Sequence, residues 1–328
     1  MKWQLCCQAA IAAKAGDCTR ETRKTDAVRL PAGGRRAGDC TRRKDDHHMK
    51  DTIYQIFREC FPEYPMPMNK LFSCMDYDSC QILTVQKDGE ISGFSAVCGD
   101  NIRLLCVRPE YRYKGLGRRL LAMSEEKIAS DGYKTAVLGG FSSGLFIGAV
   151  TSEEDFLKKS NPFFEKCGYT AEDGCFEMKL AMKDFEVEKA PVNMQTGVTF
   201  GYYNDEDRTA LYEAVADVDE DWVQYFPKAD KVFCVFLEGK VISFTILSYD
   251  DDNILCREGA KIGSIGCVGT IHSEREKGIG LTMVALATEE MKKQNCDEVF
   301  IHWTHLDKWY GKLGYRTFLY YWFGRKEL

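Results

Sequence analysis

Two six-residue stretches of this chain, Arg112-Tyr113-Lys114-Gly115-Leu116-Gly117 and Arg275-Glu276-Lys277-Gly278-Ile279-Gly280, repeat one Arg-x-x-Gly-x-Gly pattern in matching surroundings. Each follows an apolar run that reads as a strand, residues 102–107 and 262–271. Each precedes an amphipathic pattern that reads as a helix, 116 to about 130 and 281–294, with Leu120, Leu121 and Ile128 at helical spacing in the first. A glycine turn between strand and helix is a weak signal by itself, because glycines are common there. A second element recurs downstream in the same order, Phe163-Phe164-Glu165-Lys166-Cys167-Gly168-Tyr169 and Trp309-Tyr310-Gly311-Lys312-Leu313-Gly314-Tyr315. Two elements repeated in one order make the chain an internal duplication.

The repeated turn suits an anion. The first turn of a helix has N–H groups without intrahelical partners and the positive end of the helix dipole, and glycine lets the backbone approach phosphate oxygens closely. Arg112, Lys114 and Arg118 add charge to the first loop, and Arg275 and Lys277 add charge to the second.

The paired loops and the aromatic-x-Lys-x-Gly-Tyr element together resemble the GCN5-related N-acetyltransferase (GNAT) superfamily, over nearly everything after Met49. The resemblance implies an α/β (α+β) chain of two tandem GNAT-type units. Each would be a mixed, mostly antiparallel sheet flanked by helices. The strands beside the loop helix, 102–107 with 134–138 and 262–271 with 298–303, would splay to leave a cofactor gap. It implies acetyl-CoA as co-substrate, held after Val107 by Arg112, Lys114, Gly115, Leu116, Gly117 and Arg118, and after Thr270 by Arg275, Lys277, Gly278, Ile279 and Gly280. It implies direct acetyl transfer to a primary amine on a small molecule or peptide, with a tyrosine near the thioester sulfur. That tyrosine is Tyr310 in the second unit, where the first has Phe164. Neither half has the asparagine that many members of the family carry one to two turns earlier, so a CoA-binding sensor or scaffold without turnover stands as the alternative.

Length and composition agree with two domains: 328 residues at 45% hydrophobic content supply two cores. The apolar runs fall short of the roughly 20 residues of a spanning helix, so no membrane partner is expected. Fifteen cysteines without a C-x-x-C pair read as reduced thiols of a cytoplasmic protein, and five scattered histidines give no metal site. Trp303, Trp309 and Trp322 lack the spacing of a nucleic-acid platform, and a monomer or homodimer is expected. Residues 1–48 carry eleven basic and six acidic side chains and no apolar period, and read as a disordered or non-native extension. The first unit then spans 49–182, a linker 183–197 and the second unit 198–328.

Within the first unit, Ile53, Ile56, Phe57 and Cys60 share a helical face, Asn161 caps a helix opened by Pro162, and 175–182 is the closing strand. In the second, Asp205 caps a helix through Val215, and 318–323 is the final strand. The first half holds about 17 more residues than the second between its two repeated elements, including Gly139 to Gly144, a lid or a solvated loop. The general-base candidates are His302 at a strand end and Glu258 acting through water. Asp219-Glu220-Asp221 is either an attractor for an ammonium group or a solvated turn.

Overall fold

The computed structural model describes residues 38–64, 66–140, 146–249, 255, 257 and 259–328, with side chains from His48 onward. The readings of residues 1–37, of the segment 141–145 and of Glu258 lie outside these. The first helix, α1 (Gly38–Cys60), runs through the expected start at Met49. Of the expected face, Ile53, Ile56 and Phe57 are buried and Cys60 is half-buried.

After α2 (Met68–Met75), strands β1 (Gln81–Lys87), β2 (Glu90–Cys98) and β3 (Asn101–Val107) form an antiparallel meander. Helix α3 (Leu116–Ser130) crosses over to β4 (Thr135–Leu138), which is therefore parallel to β3. A short β5 (Ala149–Thr151), α4 (Glu153–Leu157) and α5 (Pro162–Glu165) lead into β6 (Thr170–Ala181). The second half repeats the plan with an opening strand that the described residues of the first half lack. It comprises β7 (Val198–Tyr202), α6 (Thr209–Val218), a 3-10 segment at Glu220–Lys228, then β8 (Val232–Leu237), β9 (Lys240–Tyr249) and β10 (Ile262–Thr270). Helix α7 (Ile279–Lys293) crosses to β11 (Glu298–Thr304), followed by α8 (Asp307–Gly311) and β12 (Arg316–Glu327).

Two caps differ from expectation. Asn161 makes no capping bond; its Nδ2 donates to the Val150 carbonyl at 3.3 Å, tying α5 back to β5. Asp205 lies too early: α6 starts at Thr209, whose N–H donates to Asp207 Oδ1 at 3.0 Å.

The larger correction concerns how the units close. All the strands join one sheet in the order β1-β2-β3-β4-β12-β6-β11-β10-β9-β8-β7, with β5 on β12. The last strand of each half is thus paired with the other half: β12 lies between β4 and β6, and β6 lies against β11. The cores follow the pairing. Phe176, Met178 and Leu180 of β6 pack with α7 and Tyr310, while Trp322 of β12 packs with Leu121 and Ile128 of α3. Alternation of apolar residues fixes which face of a strand is buried but not which neighbour it pairs with.

This exchange predicts a non-local effect. Trp322→Ala should cost about 3–5 kcal/mol in urea unfolding and should raise amide exchange in α3, some two hundred residues upstream in sequence. Loss of protection confined to 198–328 would contradict the shared core.

Candidate functional site

Each half holds a fork in the sheet. Parallel pairing of β3 with β4 stops at Ile102↔Leu138, and that of β10 with β11 stops at Ser264↔Phe300. Beyond those points β3 and β10 continue to Val107 and Thr270 with one edge unpaired by the parallel neighbour, which leaves backbone groups for a ligand's amides. The fork ends at the glycine loop and the N-terminus of the crossover helix.

The two loops have the same backbone despite different sequences. Arg112 and Arg275 are extended at φ −66°, ψ 162° and φ −68°, ψ 163°. Tyr113 and Glu276 follow at positive φ, 60° and 64°, and Gly115 and Gly278 at 83° and 79°. In both loops the arginine Nε donates to the last carbonyl of the preceding strand, Val107 at 3.1 Å and Thr270 at 3.0 Å. The arginine therefore fixes the loop as well as charging it. Alternating φ sign turns successive N–H groups toward one point at a helix start, an arrangement that receives an anion.

The charge around the loops differs. Residues 110–119 carry four basic and one acidic side chain, and residues 273–282 carry two of each. Lys277 Nζ is bound to Glu274 Oε2 at 2.9 Å. The linker also reaches the second loop: Asn193 Nδ2 and Gln195 Nε2 donate to the Lys277 carbonyl at 3.0 and 2.8 Å. Among the described residues no side-chain amide braces the Lys114 carbonyl in this way, and Lys114 Nζ turns back to the Glu110 carbonyl at 2.9 Å.

A cavity of about 1060 Å³ fills the first fork and one of about 960 Å³ the second. The first is bounded by the β3 edge, Arg112, Gly115, Gly117 and Arg118 of the loop, Asn161 to Phe164, and a wall from Cys60 to Tyr64. The second is bounded by Thr270, Arg275, Gly278, Ile279 and Gly280, by Trp309 and Tyr310, and by a wall from Asp219 to Trp222. Lys114 and Lys277 lie in the loops without lining either cavity, and Leu116 is half-buried at the start of α3.

The walls facing the loops come from the segment after each half's opening helix, Cys60 to Tyr64 after α1 and Asp219 to Trp222 after α6. Sequence reasoning marked the second wall and missed the first, although the duplication itself relates them. The first wall is largely apolar, with Phe61, Pro62 and Tyr64, and Phe146, Phe318 and Leu319 beside it. In the second wall Asp219 Oδ1 caps the 3-10 turn by accepting from Asp221 N at 3.0 Å, and Glu220 and Asp221 are exposed.

Tyr310 lies in the second cavity with its side chain buried and its hydroxyl without a partner. Trp309 packs edge-on against it at 4.7 Å between centroids. Burial, and then Tyr315 and Cys267, push its phenol well above the usual tyrosine range, so it keeps its proton and remains a donor. Phe164 occupies the related place in the first cavity, stacked at 6.4 Å on Trp322.

His302 is not in either cavity. A bulge in β11 sets His302 and Trp303 opposite Glu177 of β6. There His302 Nδ1 meets Glu177 Oε2 at 2.5 Å, and Glu177 Oε1 accepts from Tyr321 at 2.7 Å and Tyr64 at 3.4 Å. All four side chains are buried. His302, a base candidate from the sequence, is thus placed in a polar joint between the exchanged strands, because β6 lies beside β11 on the side away from β10. No group of His, Cys, Asp and Glu among the described residues is arranged to hold a metal.

Comparison with known proteins agrees with this geometry. A family model described as Acetyltransferase (GNAT) domain matches residues 78–171, and one described as Acetyltransferase (GNAT) family matches 199–315. No curated protein matches the chain. Among solved structures, a GCN5-related glucosamine N-acetyltransferase region of a fungal multi-domain GH3 beta-N-acetylglucosaminidase is similar at TM-score 0.65 and 21% identity, covering 86% of this chain and 37% of that one. This chain therefore spans little more than a third of that protein's length. A tandem GNAT protein from the clavulanic acid biosynthesis pathway matches at TM-score 0.60 and 12% identity, covering 86% and 96% of the two chains. A GCN5-related N-acetyltransferase from Sphaerobacter thermophilus matches at 0.60 and 16%, covering 84% and 91%. With two matching domains on two forked, loop-bearing halves, the chain belongs to the GNAT family of acyltransferases.

Proposed function

We propose that the chain transfers an acetyl group from acetyl-CoA to a primary amine, and that the second cleft carries the reaction. The observation that carries this reading is the Tyr310 hydroxyl, buried and unpartnered in the same cavity as Arg275, Gly278 and Gly280, where the first half has a phenylalanine. An unpartnered buried hydroxyl costs about 1–3 kcal/mol, so a ligand that accepts from it is favoured there.

The residues fit acetyl-CoA. Loop N–H groups at the start of α7 and the Arg275 guanidinium suit a pyrophosphate, and the open edge of β10 suits amide groups along an extended arm. Bound there, acetyl-CoA supplies an activated acetyl group whose departing sulfur needs a proton. Tyr310 holds that proton on its Oη and delivers it, as a general acid kept neutral by burial. Asp219, Glu220 and Asp221 form a negative wall that draws an ammonium group toward the cavity before it is deprotonated. The acceptor is a small-molecule or peptide amine. The glucosamine acceptor named for the fungal relative is an amine of this kind, and it leads the acceptor panel for that reason. The free thiols among the described cysteines suit a reducing, cytoplasmic setting.

The first cleft is proposed as a CoA site of higher affinity, from the greater positive charge of its loop. Calorimetry on the intact protein should register two CoA sites, with Gly115→Val removing the tighter one and Gly278→Val the weaker. A single site in the unmodified protein would show that one loop is purely structural. Tyr310→Phe keeps the packing and removes only the donor, so product detected by mass should form on the order of 10²-fold more slowly with CoA binding intact. Unreduced turnover would remove Tyr310 from the reaction. In the unmodified protein kcat/KM should climb with pH as the acceptor loses its proton. It should then stay level past the ordinary tyrosine range near ~10, because Tyr310 is shifted upward; a falling limb below that range would contradict its role.

A further inference from the structure

The first cleft contains a thiol set beside the arginine of the glycine loop. Cys60, the last residue of α1, is half-buried and lines the cavity. Its Sγ donates to the Val107 carbonyl at 3.3 Å. That carbonyl also accepts from Arg112 Nε at 3.1 Å, so thiol and guanidinium meet on one oxygen beside the glycine loop. Cys106, buried on β3 next to Val107, lines the same cavity and belongs to the apolar cluster against which Cys60 packs.

The charges around Cys60 favour its thiolate. Glu59, its neighbour on α1, opposes the thiolate but is ion-paired with Arg108, and Glu63 beyond the helix faces Lys179 at 3.7 Å. The Cys106 hydrogen bond, opposed by burial and reinforced by Arg112, brings Cys60 down to about 7. Burial takes other thiols the opposite way, Cys74 to about 11 and Cys234 and Cys80 to about 12. A thiolate that is both formed and reachable is the reactive form of cysteine.

We propose that Cys60 and Cys106 are an oxidation-sensitive dithiol in the first cleft, which a peroxide converts to an intramolecular disulfide. The Cys60 thiolate attacks one oxygen of hydrogen peroxide. The S–O bond forms as the O–O bond breaks, and hydroxide leaves. Burial holds Cys106 as the thiol, so the released hydroxide takes its proton and becomes water; the Cys106 thiolate then attacks the sulfenic sulfur, the S–S bond forms as the S–O bond breaks, and a second hydroxide leaves. Two thiols give up two electrons and one peroxide is reduced to two waters. Arg112 belongs to both the thiolate and the loop, so an anion on the loop competes with the thiolate, and each weakens the other by the same factor. This protection by CoA rests on reading the first loop as a phosphate cradle; the disulfide does not.

The test uses the reduced full-length chain treated with limiting hydrogen peroxide at neutral pH, alkylated, digested and mapped by mass. The expected product is one Cys60–Cys106 linked peptide, formed roughly tenfold or more faster than oxidation of the half-buried Cys80 and Cys167. Cys106→Ser should stop at a Cys60 sulfenic acid that dimedone traps, and Arg112→Met should slow the reaction several-fold at pH 7. Oxidation of Cys60 no faster than of Cys80 and Cys167, or a persistent sulfenic acid in the unmodified chain, would overturn the proposal. Saturating desulfo-CoA, which keeps the phosphates and carries no thiol to consume peroxide, should slow oxidation of Cys60. If the disulfide forms but desulfo-CoA does not protect, the dithiol stands and the phosphate-cradle reading of the first loop falls.

Discussion

Each half of this protein ends in a strand that the other half requires, and this exchange fixes the rest of the architecture. With β12 between β4 and β6, and β6 against β11, one strand of each fork is held on its far side by a strand of the other half. Glu177 shows how the joint is specified. Its carboxylate accepts from Tyr321 and Tyr64 and meets His302, so side chains from α1's following loop, β6, β11 and β12 converge on one buried acid. Such a group is costly to bury unless its partners are placed, so other registers of these strands would leave it unpaired.

Duplication under that constraint yields two clefts of one geometry and different chemistry. The loops agree within a few degrees at their arginines and glycines. What departs is everything that can vary without moving the backbone. The first cleft gains cations, an apolar wall and a phenylalanine; the second gains acids and a buried phenol, and its loop is braced from outside by Asn193 and Gln195. A first cleft suited to a multiply charged phosphate ligand and a second suited to an amine beside a proton donor can coexist in one sheet. The loop, rather than the side chains around it, is what both inherit.

The sequence disclosed elements more readily than their pairing. The expected bounds of α3 coincide with those observed, because a glycine turn and an apolar period both mark them. The glycine loops and Tyr310 were legible because they recur at related places in the duplication. The surroundings of His302 were hidden for the reason the strand exchange was: they depend on the neighbouring strand, and that neighbour comes from the other half. Cys60 escaped notice because its setting is made by Val107, Cys106 and Arg112, which lie far along the chain. Asn161 looked like a cap by its place before Pro162, yet the Val150 carbonyl holds it instead.

The division of labour between the clefts is the central claim, and acceptor turnover in the two loop variants tests it most directly. Steady-state acetyl transfer should survive in Gly115→Val and be lost, by on the order of 10²-fold or more in kcat/KM, in Gly278→Val, where the blocked loop lies in the cavity of Tyr310. Turnover that persists in Gly278→Val and disappears in Gly115→Val would assign the reaction to the first cleft and contradict this account.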